Sequence, residues 1–244
     1  YLGAVRYVVW RKPASGPSGE KMGFKERLIA LKSIWGVLSL FIVVMGGIYL
    51  GIFTPTEAAG FGAGGALLIG LGRRRLSFSS LFEALVDSTR TSAMLFSVVI
   101  GAFIFSDFIT RAGLPDALLG FVTALDMSPM LVMMVILVIY LILGMVFESL
   151  SMLLLTVPVF YPLVAGMGFD LIWFGIVVVI VIEISLITPP VGMNVFVLSS
   201  VIKGVSAGTI FKGVTPFWCA DIIRLLIVAF FVQVSLFLPN VLYG

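Results

Sequence analysis

The chain has 244 residues, of which 61% are apolar and 11% charged, with a net charge of +3, and its mean hydropathy is +1.22. Soluble domains use roughly 45 to 50% apolar and 25% charged residues, so the composition excludes an ordinary water-soluble domain and predicts an all-α polytopic membrane protein. There is no His and a single Cys, Cys219, which excludes disulfide frameworks and Cys/His metal sites, and the basic excess falls in short loops between apolar runs, a topology signal that excludes nucleic acid as partner.

Taken in chain order, residues 1–10 read as the end of a preceding transmembrane helix, and the chain is expected to be the C-terminal part of a longer protein. Residues 11–33 form a cytoplasmic basic linker with six Lys/Arg between Arg11 and Lys32; its PASGPSG stretch, Pro13 to Gly19, reads as flexible. The run Ile34 to Ile52 is long enough to span a bilayer. In GIFTPTEAA, Gly51 to Ala59, Thr54 and Glu57 are spaced as a capping box, and Pro55 suits the first helical position. The GFGAGG after it, Gly60 to Gly65, resembles a phosphate loop only as a string; small residues in a membrane helix permit close packing. Ser80 to Arg90 is amphipathic, with Ser80 and Glu83 spaced as a second capping box, and is expected to lie on the cytoplasmic surface before a span over 91–109.

Charge then constrains the middle of the chain. Twelve of the fifteen basic residues fall in Arg11 to Lys32, in Arg73, Arg74, Arg75 and Arg90, and in Lys203 and Lys212, so these loops face the cytoplasm. Met130 to Gly168 must therefore begin and end outside. Its arms, Met130 to Met145 and Leu150 to Val164, read as a re-entrant hairpin with the tip GMVFES, Gly144 to Ser149; two full spans joined by a tight turn are the alternative. At the tip, Glu148 either neutralises an ion or substrate site or caps the second arm with Ser149 and Ser151. The tip glycine and backbone, from Gly144 and Met145 to Ser149, are the stronger candidates for contacts.

The apolar run from Leu171 to Ile187 ends in TPPVGMN. Proline in a helix interior removes a backbone bond and clashes with the preceding turn, and it drives the residue before it out of helical geometry. Thr188, Pro189, Pro190, Val191 and Gly192 therefore predict a true break, after which Met193 to Ile202 resumes. Unwound backbone at membrane depth is tolerated where it is buried or lines a cavity, and such discontinuous helices form substrate and ion sites in secondary transporters. Thr188 and Asn194 add polar groups beside the break. Glu183, one turn earlier, is open to two readings, an ion-relay carboxylate or a hydrogen-bonding one. Val205 to Gly213 reads as a short interfacial helix and Val214 to Leu238 as the last span, where Asp221 and Arg224 are spaced to pair. Trp35, Trp173 and Trp218 fall near the starts of spans, as an aromatic belt would place them. With no His, HExxH, GxSxG or GxGD, an intramembrane enzyme lacks its nucleophile or metal.

Four motifs carry a family resemblance: GGIYLGIFTPTEAA (Gly46 to Ala59), AGLPDAL (Ala112 to Leu118), GMVFES with LLTVPVFYPL (Leu154 to Leu163), and EISLITPPVGMNVFV (Glu183 to Val197). Together they resemble the large membrane subunit of tripartite ATP-independent periplasmic (TRAP) transporters, in the family's order and over nearly the whole chain. The resemblance implies the second inverted repeat of an elevator-type ion-transporter-superfamily fold. Residues 34–128 would hold scaffold and interfacial helices with the span 91–109, residues 129–202 the transport-domain hairpin and broken helix, and residues 203–244 an interfacial helix and the last transmembrane helix. It further implies a multi-pass permease of a bacterial or archaeal inner membrane, with no cofactor. Na+ would be the coupling ion, held in part by Gly144, Thr188 and Gly192. The implied partners are a small four-helix membrane subunit, a periplasmic substrate-binding protein and a small organic acid. In the resembled family Gly often stands where Ser185 is, and Asp where Glu148 is. A binding-protein-independent carrier of the same superfamily and a structural membrane subunit are the competing readings.

Overall fold

Short polar residues ahead of apolar runs decide where these helices begin, because a cap side chain accepts from N–H groups that the first turn leaves without partners. The computed structural model describes residues 1–13, 16, 23, 26, 34–74, 76–202 and 204–243. Among them the helices are α1 (Leu2–Arg11), α2 (Trp35–Tyr49), α3 (Pro55–Gly72), α4 (Phe78–Arg111), α5 (Leu114–Ala124), α6 (Pro129–Gly144), α7 (Ser149–Gly166), α8 (Leu171–Ser185), α9 (Met193–Val201), α10 (Ala207–Phe230) and α11 (Val232–Tyr243). No strand occurs among the described residues, as the composition requires. Most of the expected linker over 11–33, with its PASGPSG stretch, lies outside the described residues. By length and composition α4, α7 and α10 suffice to cross a membrane. The chain forms two compact units, residues 17–94 and residues 1–16 with 95–244.

In the unit of residues 17–94, α2 and α3 pair. The capping box forms as its spacing predicts: the Thr54 N–H donates to Glu57 Oε2 at 2.8 Å and the Glu57 N–H to Thr54 Oγ1 at 3.3 Å. A Cβ at Gly62 would touch Val44 Cγ2 at 3.4 Å, and one at Gly65 would collide with Leu40 Cδ2. The small-residue stripe is thus the surface through which the two helices approach. Trp35 lies under the Arg73 guanidinium, 5.6 Å from the ring centre.

Two elements differ from the sequence reading. The surface helix expected over 80–90 and the span over 91–109 are one continuous helix, α4. Its start is served by Ser77, whose hydroxyl accepts from the Ser80 N–H at 3.1 Å; Ser80 is helical and makes no capping box with Glu83. Nothing between residues 80 and 91 breaks a helix, since Ser, Thr and Arg there carry neither the fixed φ of proline nor the freedom of glycine. The short helix expected over 205–213 likewise continues into the last span as α10, capped by Ser206, which accepts from the Thr209 N–H at 3.3 Å. That span ends at Phe230, and residues 232–243 restart as α11.

In the unit of residues 1–16 and 95–244, α8 is the central helix. Its sequence is apolar on every side, and a helix of that kind is stable only when it is surrounded. Trp173, Phe174, Val177, Val178, Val181, Ile182 and Ile184 are all buried, in a core shared with Met133, Ile136 and Tyr140 of α6, Met152 and Val164 of α7, and Leu225 and Ala229 of α10. Asp170 caps α8 by accepting from the Trp173 N–H at 2.9 Å. Trp173 is not the belt residue the sequence suggests. It is 0% exposed, and its indole donates to the Val228 carbonyl at 2.8 Å, because a buried indole N–H must find an acceptor. Asp221 and Arg224 pair at 3.1 Å as their spacing predicts. Asp221, 4% exposed, also accepts from the Tyr1 hydroxyl at 2.6 Å, which ties α1 to α10.

Candidate functional site

The hairpin tip meets the last turn of α8, one turn before the break between α8 and α9. Helices α6 and α7 run back to back around a four-residue turn, 145–148, and are held together by the Tyr140 and Thr156 hydroxyls, 2.9 Å apart, and by the Tyr140 and Phe160 rings. The last residue of α6, Gly144, is buried against α8. A Cβ there would run into the hydroxyl of Ser185 and lie 2.8 Å from its Cβ, with Met152 Cε at 3.4 Å. Ser185 is itself fully buried, and its hydroxyl donates to the Ile182 carbonyl at 2.5 Å. The hairpin tip is therefore seated on the last turn of α8 through backbone, at a place where only glycine leaves room.

One turn beyond Ser185, the helix opens as the prolines dictate. The Thr188 N–H still reaches back to the Ser185 carbonyl at 3.1 Å, then Pro189 and Pro190, joined by a cis peptide, supply no N–H at all. The chain turns through Gly192, with φ +44°, a left-handed conformation that glycine adopts without steric cost. The Asn194 N–H closes the break by donating to the Leu186 carbonyl at 3.0 Å. Gly192 is packed tightly: a Cβ on it would meet Phe211 Cε1 at 2.9 Å and the Thr188 carbonyl oxygen at 3.2 Å. Thr188 is 5% exposed. Its hydroxyl donates to the Ile184 carbonyl at 2.7 Å and accepts from the Trp218 indole at 2.9 Å.

The remaining residues singled out from the sequence separate into groups. Glu148 is the N-cap of α7, accepting from the Leu150 N–H at 3.1 Å, the Ser151 N–H at 2.9 Å and the Ser151 hydroxyl at 3.0 Å. Of its two readings, the geometry shows the cap. Met145 closes α6, its N–H donating to the Ile142 carbonyl at 3.3 Å, and Ser149 opens α7. Pro189, Pro190, Val191 and Asn194 are exposed, and so is Glu183. Ser185, Phe211 and Trp218 touch the site and were not singled out as contacts from sequence. The usable signal was Trp218, since an indole N–H in an apolar helix has to end on some acceptor. Trp218 is half-buried, with its indole N–H donating to the Thr188 hydroxyl.

Chemically, the site offers carbonyls, a threonine hydroxyl and a tight glycine turn. Among the described residues no group of three or more His, Cys, Asp or Glu that could hold a metal ion occurs; the oxygens beside the break are backbone carbonyls, the Thr188 hydroxyl and the side chain of the exposed Asn194. Because the Glu148 carboxylate is used by N–H donors, Glu148→Ala is expected to cost stability of about 1 kcal/mol, as loss of an N-cap does. Glu148→Gln, which keeps an acceptor, is expected to lose less. Thermal melting of both variants checks this, and equal losses in the two would mean that the start of α7 does not depend on an acceptor at position 148.

Residues 2–234 match the family described as "Tripartite ATP-independent periplasmic transporter, DctM component". Similar curated proteins include the C4-dicarboxylate TRAP transporter large permease protein DctM of Pseudomonas aeruginosa, 35% identical over 226 residues, covering 92% of this chain and 52% of that protein. The sialic acid TRAP transporter large permease protein SiaM of Vibrio cholerae is 32% identical over 225 residues, covering 92% and 52%. The isethionate TRAP transporter permease protein DctMQ of Oleidesulfovibrio alaskensis is 34% identical over 203 residues, covering 82% and 32%. The chain spans about half the length of the large permease proteins it matches.

Proposed function

From the premise that this chain belongs to the family of the DctM component of tripartite ATP-independent periplasmic transporters, we propose that the intact protein is the large permease subunit of a Na+-coupled importer of small organic acids. The substrates named for its relatives, C4-dicarboxylates, sialic acid and isethionate, define the class, all anionic at neutral pH. The permease works in the inner membrane, as a multi-pass protein, with a small membrane subunit and a periplasmic binding protein that delivers the substrate. Residues 129–202 act as the moving body of an elevator and form the second of two inverted repeats, with residues 34–128 contributing the scaffold. Since Trp173 and Trp218 tie α10 to α8 through hydrogen bonds to Val228 and Thr188, we assign α10 to the same moving body.

The observation that carries this reading is the seating of the Gly144 tip on Ser185 one turn before a helix break that is opened by two prolines and a left-handed glycine. Discontinuous helices paired with irregular backbone are how secondary transporters present carbonyls to Na+ and half-helix ends to anionic substrates. On this reading Na+ is a co-substrate that engages the region of Gly144, Thr188 and Gly192. The test is uptake by the intact permease, reconstituted with its small subunit and binding protein, under an imposed Na+ gradient. Substrate accumulation is expected only with the gradient and the binding protein present, and Thr188→Ala is expected to raise the Na+ concentration needed for half-maximal uptake about tenfold, as loss of a metal-site support does. Uptake indifferent to Na+, or persisting without binding protein, would replace the proposal with another mode of transport.

A further inference from the structure

We propose that Trp218 is a positioning residue for the break, holding Thr188 in the orientation that presents its oxygens; the proposal rests on the reading of the break as the Na+ site. A threonine hydroxyl has one hydrogen and two lone pairs, and an indole N–H can only donate. In the structure the hydrogen of Thr188 goes to the Ile184 carbonyl at 2.7 Å, while the Trp218 N–H enters one lone pair at 2.9 Å. The bond to Ile184 alone leaves the hydroxyl a local, i to i−4 partner such as threonines in ordinary helices use. The second bond comes from a different helix and fixes residue 188 relative to α10.

That external anchor matters because the next two residues are prolines. Pro189 and Pro190 have no N–H, so the backbone beyond Thr188 has no donor of its own until Val191. The side chain of Thr188 is thus the last polar tether on the near side of the break, and the Asn194 N–H on the Leu186 carbonyl is the tether on the far side. Between them the Thr188 carbonyl oxygen comes within 3.2 Å of where a Gly192 Cβ would sit. A shift of Thr188 therefore carries that carbonyl with it. Trp218 is itself well anchored, since α10 is held to the other end of α8 by the bond between Trp173 and the Val228 carbonyl. If Trp218 served only to fill space, the effect of replacing it would be the same with or without a hydroxyl at position 188, and this difference is what an experiment can read.

Trp218→Phe in the intact, reconstituted permease is expected to raise the half-saturating Na+ concentration about fivefold, the scale of one lost hydrogen bond. The substrate KM and the rate at saturating Na+ are expected to stay within about twofold, because only the poise of the site has changed. Placed on Thr188→Ala, the same substitution is expected to add nothing, since the bond it removes is already gone; on Thr188→Ser, which keeps the hydroxyl, the fivefold shift returns. Thermal melts of each purified variant separate these effects from misfolding. An equal Na+ shift whether position 188 holds its native threonine or carries the Thr188→Ala substitution would make Trp218 a packing residue and overturn the proposal, as would Trp218→Phe with unaltered Na+ dependence beside an impaired Thr188→Ala. If Thr188→Ala is itself without effect while uptake stays Na+-driven, the break is not the ion site and both readings fall.

Discussion

Gly192→Leu is expected to abolish the Na+-driven uptake proposed for the intact permease while the protein still inserts and co-purifies with the proposed small subunit. Residue 192 sits at φ +44°, where a side chain with a Cβ costs about 1–2 kcal/mol from local sterics alone. The new Cβ would also lie 2.9 Å from Phe211 Cε1 and 3.2 Å from the Thr188 carbonyl oxygen. Phe211 can swing, but the carbonyl is backbone and sits beside two prolines that restrict its movement. Relief therefore comes by displacing Thr188, the residue placed at the ion site in the proposal. Gly192→Ala carries the same strain with less bulk and is expected to retain slow uptake with a weakened Na+ response. The measurement is uptake at several Na+ concentrations, with co-purification of the small subunit as the control for assembly. Wild-type uptake by the Leu variant would remove the break from the mechanism.

The second large effect lies at the hairpin seat. Gly144→Ala puts a methyl group into Ser185, whose hydroxyl is committed to the Ile182 carbonyl and whose surroundings are fully buried. Overpacking of this kind costs about 1–3 kcal/mol, and here it lifts the hairpin away from α8. Loss of uptake and a lowered melting temperature are expected. Ser185→Gly vacates the volume that the methyl needs, so the double variant Gly144→Ala/Ser185→Gly is expected to regain most of both, a coupling that residues in direct contact show and distant ones do not. Losses that simply add would mean that the tip is not seated on Ser185 in the working protein.

The fold was largely readable because its determinants are local. Thr54 with Glu57, the two prolines after Thr188, and the Asp221 and Arg224 spacing each act within four residues, and each appears where the sequence puts it. Boundaries that depended on membrane depth were less readable. Ser80 reads as a helix start because Glu83 follows it at capping-box spacing, but that spacing with no breaker ahead of it does not end the preceding turn, and α4 begins at Phe78 and runs straight through. Trp173 differs from the reading for a related reason: tryptophan at the start of a span fits a headgroup belt and a buried donor equally well, and only the packing of α10 on α8 distinguishes them. At the site, the break itself was legible, whereas Ser185, Phe211 and Trp218 come from other turns or helices and leave no trace in local spacing. Glu148 shows the opposite case, a residue that drew attention by its charge and is explained by its cap.

The continuous α4 also fixes something about depth. Between Arg90 and Asp107 lie sixteen residues without charge, Thr91 to Ser106, about 24 Å of helix at 1.5 Å per residue, against a hydrocarbon thickness of roughly 30 Å. At one edge stand Glu83, Asp87 and Arg90, and at the other Asp107 pairs with Arg111 at 2.7 Å. The stretch is already shorter than the oil layer, so the bilayer must thin or the flanking charges must reach outward to meet it. A vertical slip by one turn, about 5.4 Å, would carry the charges of one edge deeper into the hydrocarbon while those of the other move out to the headgroups, and the cost of the sinking edge rises toward about 2.5–3.5 kcal/mol per charge as the centre is approached. Such a helix behaves as a float with a fixed waterline: in the elevator proposed above, the surrounding lipid would hold α4 at its level while the moving body rises and sinks.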